Sequence, residues 1–155
     1  MIIELNPPLS AGPLHLDMTG DEVIAVMRQF GEPEVLCRAA GERPEWGVSD
    51  SNGLFLRADF GPDDRVSAVE IGRPTEPVVT VTYDGLDIFQ TAASELVEAL
   101  SRKTWTVEKE NGHSFIAPDL LLALWRPTIP EGLDDADGKY FESVLMARPG
   151  YYEQA

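Results

Sequence analysis

Two histidines, one cysteine and 27 carboxylates are the side chains best suited to metal, acid–base or nucleophilic chemistry in this sequence. A zinc site would want histidines one helical turn apart, or a hairpin pair completed by carboxylates. His15 has only Asp17 close to it along the chain. His113 follows Asn111-Gly112, where a surface hairpin residue is expected. Cys37 stands in the apolar run Val35-Leu36-Cys37 and reads as a small buried hydrophobe rather than a nucleophile. Asp134-Asp135-Ala136-Asp137-Gly138 has the composition of a calcium loop. Such a loop needs oxygen ligands at its first, third and fifth positions, glycine sixth and glutamate twelfth. Counting back from Gly138 puts Leu133 first and Val144 twelfth, so the stretch reads as a solvated hairpin loop. Asp59, Asp63 and Asp64 on an earlier hairpin read the same way. No glycine-rich phosphate loop and no Gly-x-Ser-x-Gly occurs. The expectation is a protein that is not an enzyme, with no catalytic residue, no metal and no cofactor.

A different set of residues has the chemistry of recognition. Trp46, Trp125, Arg126, Arg148, Tyr151 and Tyr152 are of the types that dominate the energetics of protein interfaces. Trp125-Arg126 ends an apolar run just before Pro127, and Tyr151-Tyr152 follows Pro149-Gly150, where the chain leaves the sheet. The competing reading places Trp125 in the core with the tyrosines closing one end of it.

The elements that must position these residues follow from periodicity. Thr19 and Glu22 have the spacing of a capping box, and Val23, Ile24, Val26, Met27 and Phe30 follow at helical intervals. Gly31 and Pro33 stop that helix, over about 20–30. Leu96, Val97 and Leu100 give the apolar face of a second helix, over about 91–102. Strands are expected at 1–5 (an edge strand), 35–40, 46–48, 54–60, 66–72, 78–83, 105–110 and 113–116. Along 66–72, Val66, Ala68 and Glu70 should share one face, with Ser67, Val69 and Ile71 on the other. The stretch 120–152 reads as two strands joined by a long hairpin connection.

At 155 residues, with 43% hydrophobic content, the chain suits one domain, 1–155, with a buried core. The formal charge of −15 repels phosphate backbones and anionic lipid surfaces, which argues against nucleic acid and membrane as partners. It favours a basic protein partner. A single cysteine allows no internal disulfide, no apolar run is long enough to span a bilayer, and no secretory signal pattern opens the chain. These point to a cytoplasmic location.

The helix-then-strands order occurs twice, in halves 1–74 and 78–155 separated by a proline-rich linker at 73–77. Leu16-Asp17 precedes the first helix as Leu86-Asp87 precedes the second, and Ser67–Pro74 aligns with Glu142–Pro149. The fold expected is α+β, two similar helix-plus-antiparallel-sheet halves sharing a core. Leu16-Asp17-Met18-Thr19-Gly20-Asp21-Glu22-Val23, then Phe30-Gly31-Glu32-Pro33, resembles the helix-plus-sheet repeat of beta-lactamase inhibitory protein and the related small outer-membrane assembly lipoproteins. Asp17 replaces the glycine expected there, and neither a lipoprotein cysteine nor a disulfide pair is present. The resemblance covers about twenty residues and implies a fold and a non-enzymatic binding role.

The leading functional expectation is a non-catalytic cytoplasmic protein-interaction module, of which an acidic inhibitor or immunity-type protein is one form. The alternatives are a small-ligand-binding protein or enzyme with a pocket between the halves, and a self-associating structural protein. In the last, an edge strand such as 78–83 would pair across a homodimer.

Overall fold

A computed structural model describes residues 1–36, 45–49, 53–76, 79–132 and 134–151. The expectations for Cys37, the turn at 50–52, Val78 and Tyr152 lie outside the described residues. The first elements are β1 (Ile2–Asn6), β2 (Ser10–Ala11), β3 (Leu14–His15) and α1 (Gly20–Met27). Then come β4 (Glu34–Leu36), β5 (Glu45–Ser49), β6 (Phe55–Phe60) and β7 (Val66–Gly72). After β8 (Thr80–Tyr83), β9 (Leu86–Asp87) and α2 (Ala93–Ser101) come β10 (Val107–Lys109), β11 (Ser114–Ala117), β12 (Leu122–Trp125) and β13 (Ser143–Ala147). The protein is α+β and mostly sheet.

The larger sheet is antiparallel throughout, in the order β10-β11-β12-β13-β7-β6-β5-β4. Its central pair is β7 with β13, the last strands of the two sequence halves. The smaller sheet runs β3-β2-β1-β8-β9, antiparallel except for the parallel pair β1 and β8.

Alternation along the strands fixes the two faces of the larger sheet. Val48, Leu56, Ala58, Val69, Ile71, Leu122, Leu124, Val144 and Met146 point to one face and are buried. Val23 and Met27 from α1 and Ala93, Leu96 and Leu100 from α2 belong to the same core cluster, as do Ile3, Leu5 and Val81 of the smaller sheet. Each such Leu, Ile or Val contributes roughly 1.5–3 kcal/mol on leaving water. The core thus lies between the larger sheet's inner face and a layer of two helices and the smaller sheet.

Thr19 is the N-cap of α1, its Oγ1 accepting the Glu22 N–H at 3.4 Å. The helix is shorter than expected, and a turn through Phe30 and Gly31 bonds back to the Met27 carbonyl.

Four expectations need correction. The 1–5 stretch is not an edge strand: β1 is the middle strand of the smaller sheet, between β2 and β8. Nor does 78–83 supply an open edge, because β8 lies between β1 and β9. The alternation along 66–72 is broken by a bulge opposite Asp59/Phe60, which turns Val66 into the core and lets the Ser67 hydroxyl donate to the Asp59 carbonyl at 3.3 Å. The strand expected from Leu120 begins two residues later. Pro118 opens a short 3₁₀ turn, and Leu121 takes a left-handed conformation (φ 53°) before β12 starts.

Candidate functional site

The five described recognition residues do not form one patch. Trp46 on β5 faces inward and packs against the core. Trp125, at the end of β12, is 42% exposed. Arg126 is held in the fold: Nε donates to the Gly112 carbonyl at 3.1 Å and Nη1 to that of Gly138 at 2.9 Å. Its guanidinium lies 5.9 Å and 5.7 Å from the Phe115 and Phe141 ring centres, and those rings pack edge to face. Burial lowers the proton affinity of Arg126, and the Glu108 carboxylate opposes that shift.

Arg148 makes a two-pronged ion pair with Asp63, Nη2 to Oδ1 at 2.7 Å and Nη1 to Oδ2 at 3.0 Å. This pins the end of β13 to the β6–β7 turn and draws the Asp63 pKa down to about 2. Tyr151 is half-buried, its backbone N–H bonded to the Arg148 carbonyl.

The long connection between β12 and β13, residues 126–142, is a built structure. Phe141 is fully buried, and the Lys139 carbonyl accepts the N–H of Ala93, the first residue of α2. Asp135 accepts the N–H groups of Glu131 and Asp137, and these bonds lower its pKa. Its carboxylate is therefore engaged in shaping the loop. Gly138 has φ +76°, and a Cβ there would lie 2.0 Å from the Thr128 carbonyl oxygen. Glycine is required where the loop crosses itself. Among the described residues no group of three His, Cys, Asp or Glu is placed to hold a metal ion. His113 is half-buried, with Nδ1 3.0 Å from the Arg126 carbonyl oxygen.

One cleft opens beside this loop and another where β7 ends. One, of about 560 Å³, lies between the start of α2 and the loop, with Arg126, Ile129, Glu131 and Lys139 in its wall. The other, of about 440 Å³, is lined by Arg73, Pro74, Thr75, Gln90 and Glu142. Neither is lined by His113 or Trp46.

The larger sheet also has an outer face, which single strands could not reveal. One row of directly opposed residues crosses all eight strands: Glu34, Gly47, Arg57, Glu70, Leu145, Ala123, Ile116 and Val107. The four apolar members at the β13–β10 end are only half-buried. None belongs to the core cluster or packs against it. Phe55 and Trp125, one row over on the same face, are likewise outside it. At the other end the row is charged. Arg57 forms ion pairs with Glu70 at 2.6 Å and Asp59 at 3.1 Å, and Glu45 lies 3.8 Å away. The outer face thus divides into an apolar half and an ionic half that meet where Glu70 opposes Leu145. The signal present in the sequence was the unbroken apolar run in each of 143–147 and 114–117, which puts apolar side chains on both faces without saying which one is core.

Among the described residues no helix is long and apolar enough to cross a membrane. No family model matches the chain, and no curated protein or solved structure is significantly similar to it.

Proposed function

We propose that this chain is a non-catalytic protein-interaction module that docks a partner on the outer face of its larger sheet. The observation that carries this reading is the half-exposed row Leu145, Ala123, Ile116 and Val107, with Trp125 and Phe55 beside it, on the face turned away from the core. Contiguous apolar surface on a protein of charge −15 is the pattern of an association site rather than of a solvated exterior. In this reading the halves 1–74 and 78–155 are two copies of one helix-plus-sheet unit, each supplying four strands. The resemblance to an inhibitor repeat supports the same role, and the acidic charge favours a basic partner.

Affinity capture from extract at low ionic strength, where charge-led association is strongest, tests this reading with the wild type and Leu145→Asp side by side. A partner retained by the wild type and lost by the variant is the expected result. No partner, or the same partner on both, defeats the proposal.

A further inference from the structure

The ionic half of the outer face indicates what kind of partner fits the apolar half. Asp59, Glu70 and, at 3.8 Å, Glu45 share the single guanidinium of Arg57, so three negative charges meet one positive charge. The side chains of Asp59, Glu70, Glu45 and Arg57 are 15%, 24%, 12% and 19% exposed, so their field is screened less than that of charges in open water. Glu70 lies directly across from Leu145, and Ala123, Ile116 and Val107 follow one strand at a time. At about 4.8 Å per strand, the apolar contacts begin about 5 Å from Glu70 and end about 19 Å from it.

Resting on the reading of this face as a docking surface, we infer that its occupant is a protein segment carrying a lysine or arginine at one end of an apolar stripe. The cation joins Asp59 and Glu70, and the stripe covers Leu145, Ala123 and Ile116. The excess negative charge orients the segment across the strands, and the apolar row supplies the buried area. An anionic segment of the same shape is excluded by the same carboxylates.

The probe is a helical peptide of about sixteen residues with two arginines in its first turn and leucines at i+4, i+7, i+8 and i+11, a stripe of about 10 Å at 1.5 Å per residue. Two companions carry glutamates for the arginines, or alanines for the leucines. Binding is mapped by amide chemical shifts of the labelled protein and measured at low and at physiological salt. The arginine–leucine peptide is expected to shift outer-face amides, to weaken several-fold with salt, and to bind at least tenfold more tightly than either companion. Glu70→Gln should weaken it several-fold, and Arg57→Gln, which removes the one cation shared by Asp59, Glu70 and Glu45, should tighten it. Glu98→Gln on α2, an exposed residue paired with Arg102, serves as the control and should change nothing. Equal binding of the arginine and glutamate peptides on this face overturns the inference while the docking reading stands. Shifts confined to other surfaces, or no binding by any of the three, overturn both. If Arg57→Gln does not fold, the Glu70→Gln comparison decides.

Discussion

Replacing Arg126 with methionine should loosen the 126–142 connection without unfolding the sheet. Methionine keeps an apolar stem against Phe115 and Phe141 but removes the hydrogen bonds to the Gly112 and Gly138 carbonyls. A hydrogen bond to a charged group contributes about 1.5–3 kcal/mol net, so two would give about 3–6 kcal/mol. Against this, the variant no longer desolvates a guanidinium, and both carbonyls can turn to water once the loop moves. A net loss of about 2 kcal/mol is expected, or about 4–8 °C in Tm for a domain of this size. Thermal unfolding followed by circular dichroism measures the shift. Hydrogen exchange locates it: the Ala93 and Glu142 amides, bonded to Lys139 and Trp125, should lose protection, while those of β7 keep theirs. Arg126→Lys should rescue little, because one ammonium cannot span two carbonyls as the guanidinium fork does. An unchanged Tm together with unchanged protection at Ala93 would refute this account. The burial of Phe141 would then hold the loop by itself.

Two further predictions concern the same half of the molecule. Gly138→Ala forces a side chain onto the Thr128 carbonyl at positive φ; the left-handed conformation alone costs roughly 1–2 kcal/mol, so the loss of stability in denaturant titration should exceed that figure. Asp63, held to a pKa of about 2 by Arg148, contributes stability that is fully present above its ordinary value of 3.8 and is lost as pH falls from there towards 2. Arg148→Met should move the Asp63 carboxyl titration, followed by carbon NMR, upward towards 3.8 and flatten the stability change across that window. A titration left at about 2 would show that the Arg65 N–H, which also bonds Oδ1, carries the shift.

What could be read from the sequence was mostly local. The Thr19 cap, the two helices and the bounds of β7 follow from short-range spacing, and the structure places them close to where the spacing put them. The β12–β13 pairing was legible because two apolar runs flank a polar loop. The position of β1 was not, since its partner β8 lies more than seventy residues away and nothing in Ile2–Asn6 encodes that pairing. The bulge at Ser67 was hidden for a related reason: a strand's own sequence does not show that its neighbour is one residue short. Among the candidate site residues, Arg126 and Arg148 were singled out by type, and type does not reveal that their guanidinium groups are already committed to Gly112, Gly138 and Asp63. The outer-face row needed seven strand registers at once.

That row also bears on self-association. A sheet can recruit a second copy through an open edge or through an uncovered face, and proteins that stay monomeric blunt both. The edges here are blunted. Among the described residues β4 and β10 are three residues each, β4 opening on Glu34 and β10 closing on Glu108 and Lys109. In the smaller sheet the outermost strands β3 and β9 are two residues each. The 78–83 stretch, the edge expected to pair across a homodimer, is enclosed between β1 and β9. The outer face of the larger sheet keeps a row of apolar residues half-open, at Leu145, Ala123, Ile116 and Val107. Two copies meeting face to face would bring Glu70 and Asp59 of one close to the ionic or apolar half of the other. In either register a partly buried carboxylate would lack a cation, at a cost of the order of kcal/mol. A partner that brings its own lysine or arginine avoids that cost, and for this reason the charge pattern of the face favours a basic partner over a second copy of the chain.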